Sequence, residues 1–114
     1  MADTSLDISA LKQRLHEFAD ERDWHQFHSP KNLAMALIAE AAELVEHFQW
    51  LSEEQSNNLS EKQKLEVALE MADILIYLVR MADRLDVDLP AAVWKKIEIN
   101  EQRFPAHVVR GKAT

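Results

Sequence analysis

Apolar residues recur along this chain at helical rather than alternating spacing. Ile8, Leu11, Leu15 and Phe18 form one stripe and predict a first helix over roughly residues 7–22. A stretch rich in aromatics and histidine, residues 23–28, then breaks the pattern. Ser29-Pro30 opens a second helix. Serine accepts a bond from a free backbone N–H at a helix start, and proline lacks an N–H that would be unpaired there anyway. The apolar pattern carries this helix to about Trp50 or Leu51, before a polar, acidic loop over residues 52–59. Ser60 and Gln63 have the spacing of a capping box and predict a third helix that runs to about Leu85. Its middle, residues 74–79, is apolar on every side, as in a helix buried all round. In a chain this short, such burial points to a partner subunit. After a turn over residues 86–89, Pro90 restarts a helix that runs to about Arg103 and stops short of Pro105. A short basic tail, residues 106–114, is expected to be mobile or to fold over a site.

Composition supports an all-α fold. The 114 residues suit a single domain, 1–114, with its core over about 7–105. A hydrophobic share of 47% is too high for a disordered chain. With one Gly and three Pro, long helices run uninterrupted, and Ala, Leu, Glu and Lys favour them. The chain has no cysteine, which excludes disulfides and thiolate metal sites. No apolar run approaches the ~20 residues that span a membrane. The polar first residues lack a signal-peptide core, so a cytoplasmic location is the expectation. A formal net charge of −7 disfavours binding to a nucleic-acid polymer. A phosphorylated small molecule remains open, if local positive charge or a bridging cation holds it.

Two helices carry acids on the wrong face. Successive residues of a helix turn by about 100°. Leu33, Leu37, Leu44 and Leu51 then share a stripe, with Glu40 in its middle and Glu43 at its edge. On the third helix Glu70 and Asp73 repeat the spacing, with Tyr77 on the same strip. A lone carboxylate on a core face costs several kcal/mol unless it is paired, protonated or metal-bound. If the two helices pack antiparallel, four carboxylates converge, and a cation is needed to join them. Oxygen ligands suit magnesium or manganese. The same spacing occurs at Glu17/Asp20, Glu43/Glu46, Asp83/Asp86 and Glu98/Glu101 in a chain with 20 acids. From spacing alone, a solvated face and a metal site both stay open.

The acidic pairs, Glu40-x-x-Glu43 and Glu70-x-x-Asp73, resemble those of the MazG-like all-α nucleotide pyrophosphohydrolases. The likeness extends to the aromatic segment from Glu21 to His28, to Asn32, to Phe48-Gln49-Trp50 and to the residues that follow Asp73. It continues through Val87-Asp88-Leu89-Pro90, Lys96 to Asn100 and Arg103 to His107. The branch most similar is that of the dCTP pyrophosphatases. The resemblance implies a four-helix bundle that assembles as an oligomer, with a tetramer built as a dimer of dimers. It implies Mg²⁺-dependent hydrolysis of a nucleoside triphosphate to the monophosphate and pyrophosphate, a clearing of unwanted nucleotides. By the same resemblance Glu40, Glu43, Glu70 and Asp73 are the metal ligands. Trp24, His28, Asn32, Trp50 and Tyr77 line the base pocket, and Lys96, Asn100 and Arg103 meet the phosphates. Phe104 stands where a Tyr often precedes the final Pro. A histidine found on the first helix of some relatives falls at Leu15 here, so His16 is not counted among the site residues.

The residues are compatible with that chemistry. Phosphoryl transfer needs positioning and charge neutralisation above all. Four carboxylates suit two ions that clamp the attacking and leaving oxygens. One carboxylate takes the proton of the attacking water; Glu43 is a candidate and the choice stays open. Lys96, Asn100 and Arg103 are spaced four and three apart and share a helix face suited to pyrophosphate, or simply to water. Trp24, Trp50 and Tyr77 offer stacking for a base, or ordinary core packing. Trp50 follows Glu43 by seven positions on the same predicted face, so a pocket with its phosphate end at Glu43 has its base end at Trp50. His25, His47 and His107 are read as having no specific role. Other readings are an all-α dUTPase-like hydrolase and a non-catalytic helical interaction protein. Di-iron storage bundles use Glu-x-x-His pairs, whereas Glu43 and Asp73 fill the third positions here and argue for a harder cation.

Overall fold

The computed structural model describes residues 4–113, and among them the regular structure is entirely helical. Helix α1 (Ile8–Glu21) starts at Asp7, whose carboxylate accepts from the Ser9 N–H at 2.9 Å. A single 3₁₀ turn, His25–Phe27, fills the connection to α2 (Pro30–Glu46). Ser29 caps α2 through Asn32 N–H, as the Ser-Pro pair predicts.

Helix α2 ends earlier than its apolar pattern suggests. From His47 onward the backbone bonds tighten: the His47 and Phe48 N–H groups donate to Leu44 O and Val45 O, each three residues back. The polar loop is also more ordered than expected. It contains α3 (Glu53–Ser56), closed by its own capping box of Ser52 and Gln55. The predicted Ser60/Gln63 box is present and begins α4 (Glu61–Leu85). Asp86, in the left-handed region at φ 53°, ends it. Helix α5 (Leu89–Arg103) starts at Asp88, and the tail forms one turn, α6 (Ala106–Val109).

The body is α4 packed against α2, with α1 also packed on α4. Helices α2 and α4 run antiparallel, because Arg84 near the end of α4 donates to His28 O just before α2 begins. The core is small: Ala19, Leu33, Val67, Val79 and Ala82. The fully apolar stretch of α4 buries only Val79, while Ile76 and Leu78 stay exposed. Helix α5 leaves the body, and every residue from 90 to 104 is exposed. The bundle of four helices read from the sequence is, in the isolated chain, a body of three with the last one projecting.

This shape leaves much apolar surface in water. The radius of gyration is 17.4 Å, against about 13 Å for a compact chain of this length. The accessible surface is 9158 Å², roughly 2,700 Å² more than a compact monomer of this mass exposes. Met35, Ile38, Val45, Leu65, Leu69, Val93 and Trp94 are among the exposed large apolar residues. Among the described residues, no helix is long and apolar enough to cross a membrane.

Candidate metal centre and adjoining pocket

The antiparallel packing of α2 on α4 brings three of the four predicted ligands together. One carboxylate oxygen each from Glu40, Glu43 and Glu70 lies within 4.8 Å of the others. Glu40 and Glu70 are partly buried and Glu43 faces water. The fourth, Asp73, is close enough for its charge to act on Glu40.

The electrostatics are those of unbalanced anions. The Glu40 pKa is pushed up from 4.5 to about 7. The largest cause is the carboxyl–carboxyl hydrogen bond to Glu70 that forms when Glu40 holds a proton. Loss of water around Glu40 comes next, then the hydrogen bond and charge of Glu43, then the charge of Asp73. The Glu70 Oε2 atom is buried with no hydrogen-bond partner among the described residues. Buried polar atoms are nearly always satisfied, so this oxygen marks a place where a cation or a proton belongs. Three clustered carboxylates and an orphaned buried oxygen fit a hard divalent cation such as Mg²⁺ or Mn²⁺. Glu40, Glu43 and Glu70 would hold it.

The raised pKa has a thermodynamic sign. A carboxyl that binds its proton more tightly folded than unfolded stabilises the fold below its unfolded pKa. That contribution disappears as pH rises from 4.5 through about 7. Without metal, the melting temperature is therefore expected to fall across this window by on the order of 4 °C from this site. Glu40→Gln should flatten the fall. Added Mg²⁺ should raise the melting temperature more above pH 7 than near pH 5. Calorimetric scans of both proteins, with and without Mg²⁺, measure all three effects.

A cavity of about 290 Å³ opens beside the carboxylates, lined by Leu15, Phe18, Trp24, His28, Asp73, Ile76, Tyr77 and Arg80. Its size lies at the lower end for small-molecule sites, ~300–1,000 Å³. Tyr77 joins the two regions: it lines the cavity, and its pKa is raised by burial and then by the charges of Glu40, Asp73 and Glu43. Its hydroxyl therefore keeps its proton and is available to donate. Trp24 meets Phe18 edge-on at 5.8 Å and His28 at 6.1 Å between ring centroids.

Other predicted site residues lie elsewhere in the isolated chain. The Asn32 side chain donates to Phe27 O at 3.1 Å and braces the turn before α2. Trp50, beyond the early end of α2, is 86% exposed and does not line the cavity. Lys96, Asn100 and Arg103 lie on the projecting α5, all exposed.

Sequence reasoning missed Arg80. It is 3% exposed and is the sole buried charged residue among those described. Its guanidinium donates to Asp83, His25 and His28. His25, read as having no specific role, thus belongs to a buried polar network. His16 joins it through Asp83 at 3.0 Å. A signal existed: Asp73, Tyr77 and Arg80 are four and three apart on one face, and Arg80 directly follows the apolar run.

An all-α chain in which two antiparallel helices pool carboxylates beside an aromatic cavity is a candidate cation-dependent protein for phosphorylated ligands. The family model described as MazG-like matches residues 36–109. A pyrophosphatase from Archaeoglobus fulgidus, known by crystal structure, is 39% identical and superposes with a TM-score of 0.82. The match covers 92% of this chain and 98% of that one. The dCTP pyrophosphatase 1 of Rattus norvegicus is 51% identical over 104 residues, and that of Homo sapiens is 47% identical over 104. Those alignments cover 89% of this chain but 61% of each relative, so the chain spans about three-fifths of their length. The chain belongs to the MazG-like family.

Proposed function

We propose that this protein is a Mg²⁺-dependent nucleoside triphosphate pyrophosphohydrolase. The favoured substrate is dCTP or a base-modified dCTP, and the products are the monophosphate and pyrophosphate. The observation that carries this reading is the junction of two features. A carboxylate cluster with an orphaned buried oxygen opens, through Tyr77 and Asp73, onto an aromatic cavity. The names of the relatives from Rattus norvegicus and Homo sapiens supply the cytosine nucleotide.

In this mechanism a water oxygen attacks the α-phosphorus. The bridge bond from that phosphorus to the β-phosphate oxygen breaks, and pyrophosphate leaves. When bound, Mg²⁺ neutralises phosphate charge and makes the water more acidic. Glu40, Glu43 and Glu70, with Asp73 close by, would hold the ion at the helix interface. Glu43, on the solvent side of the cluster, takes the water's proton. Trp24 and Tyr77 flank the base, and His28 meets its polar edge. The whole of 1–114 acts as one domain in a cytoplasmic role, removing unwanted nucleotides before polymerases use them.

Assembly completes the site. The protein forms a homo-oligomer, a tetramer built as a dimer of dimers. The exposed apolar faces of α2, α4 and α5 pack between copies. A neighbouring copy contributes Lys96, Asn100 and Arg103 to the phosphates, and Asn32 and Trp50 come to the base pocket in the assembled form. The exposure of all of α5 beyond its first residue supports this arrangement.

Purified protein should be incubated with Mg²⁺ and a panel of nucleoside triphosphates, with pyrophosphate and orthophosphate followed separately. Pyrophosphate release, fastest with dCTP, is the expected result. A preference for dUTP would keep the mechanism and move the substrate. Orthophosphate release would place attack at the γ-phosphorus and refute the geometry proposed here.

A further inference from the structure

Hydrogen-bond polarity in the buried network around Arg80 determines where protons sit on the neighbouring histidines. A guanidinium has donors only. Arg80 Nε donates to His28 Nδ1 at 3.0 Å, so that nitrogen accepts and carries no hydrogen. The only proton of a neutral His28 ring is then on Nε2. The outer arms of the guanidinium donate to Asp83 Oδ2 and to His25 Nδ1. Asp83 Oδ2 also receives a bond from His16 Nδ1, at 3.0 Å. A second clamp holds the backbone of His28, whose carbonyl accepts from Arg84 Nε at 3.1 Å.

We propose that Arg80 is a positioning residue that fixes His28 as a neutral Nε2–H donor on the wall of the base pocket, and that this donor selects bases presenting an acceptor there. The inference rests on the nucleotide reading above and deepens it. Both side chains line the cavity. With Nδ1 committed to Arg80, Nε2 is the one ring nitrogen left for a ligand. Burial, and then the positive charge of Arg80, lower the His28 pKa and keep the ring neutral. A neutral ring with one tautomer discriminates, whereas a ring free to exchange tautomers serves donors and acceptors alike. The N3 atom of cytosine accepts, while that of uracil bears a hydrogen. A polar group of the site left unpaired by the wrong base is the strong form of selection.

The test uses the full chain labelled with ¹⁵N-histidine, with His28→Gln to assign the signals. Two-bond ¹H–¹⁵N correlations at neutral pH read the tautomer directly. The expected result is a single Nε2–H form of His28 in the wild type. Arg80→Lys keeps a cation beside Asp83 but loses the fork, and should yield a mixture of tautomers. The kcat/KM ratio for dCTP over dUTP should fall about tenfold in that variant, more through KM than through kcat. His28→Phe should lower the ratio similarly, and combining it with Arg80→Lys should add little. An Nδ1–H form in the wild type overturns the proposal, and so does an unchanged ratio in Arg80→Lys. Should the wild type hydrolyse no triphosphate, the nucleotide reading fails instead. The tautomer, read from the same sample and needing no turnover, then still decides the Arg80–His28 assignment.

Discussion

Glu70→Ala is expected to reduce pyrophosphate release by about 10²–10³-fold without destabilising the metal-free protein. The two effects have different causes. Activity falls because the helix interface loses a ligand whose second oxygen is already buried and unpaired. The metal-free fold is unharmed, or gains, because removing one of three crowded carboxylates relieves their repulsion. A structural residue behaves the other way, since truncating it costs stability and activity together. Thermal melts in chelator, set beside a pyrophosphate assay in Mg²⁺, separate the cases. Melting temperature in saturating Mg²⁺ should rise for the wild type and stay flat for Glu70→Ala. A variant that retains most of its rate would remove the carboxylate cluster from the chemistry altogether.

Trp94→Glu should have an effect of similar size by a different route. Trp94 is 71% exposed, on a helix whose residues from 90 onward are all exposed. The wild type is expected to sediment as a multiple of the chain mass. A standard interface buries ~800 Å² per partner, and the excess surface of this chain is enough for more than one such contact. A carboxylate at position 94 would have to be desolvated on assembly, at a cost of several kcal/mol. The variant should therefore sediment as a monomer and release pyrophosphate at least ~10²-fold more slowly, with Glu40, Glu43 and Glu70 untouched. A fully active monomer would show that α5 of a neighbour contributes nothing to the site.

How far the sequence was legible depended on how local each signal is. Helix starts were readable because a cap is a matter of three or four neighbouring residues: Ser29 with Pro30, and Ser60 with Gln63. Glu40 stood out because its own helix makes the stripe that it interrupts. The end of α2 was not readable. Phe48 and Leu51 continue the apolar rhythm, and neither Gly nor Pro marks the turn that begins at His47. That error carried Trp50 onto a helical face where it does not lie. The Arg80 network was missed for a related reason. Its members come from α1, the 3₁₀ turn, His28 in the connection that follows it, and α4. No window of sequence holds Arg80 and His28 together. The resemblance to the family singled out the three glutamates that the fold gathers, and Trp24, His28 and Tyr77 on the cavity wall, but it was silent about what holds His28 in place.

The two capping boxes between the acid-bearing helices set where this chain tolerates a change in length. Each box fixes a helix start by reference to its own serine, not to the residue count since the previous helix. An extra residue between His47 and Leu51, or between Asn57 and Leu59, would be absorbed by the loop and leave the rotational phase of α4 intact. One extra residue inside α4 between Ser60 and Glu70 has no such escape. It would turn Glu70 by about 100° relative to the cap, and either the acid or the apolar stripe beneath it would point the wrong way. Insertions and deletions are therefore confined to a few loop positions, and the spacing within each helix is as much a part of the site as the carboxylates themselves.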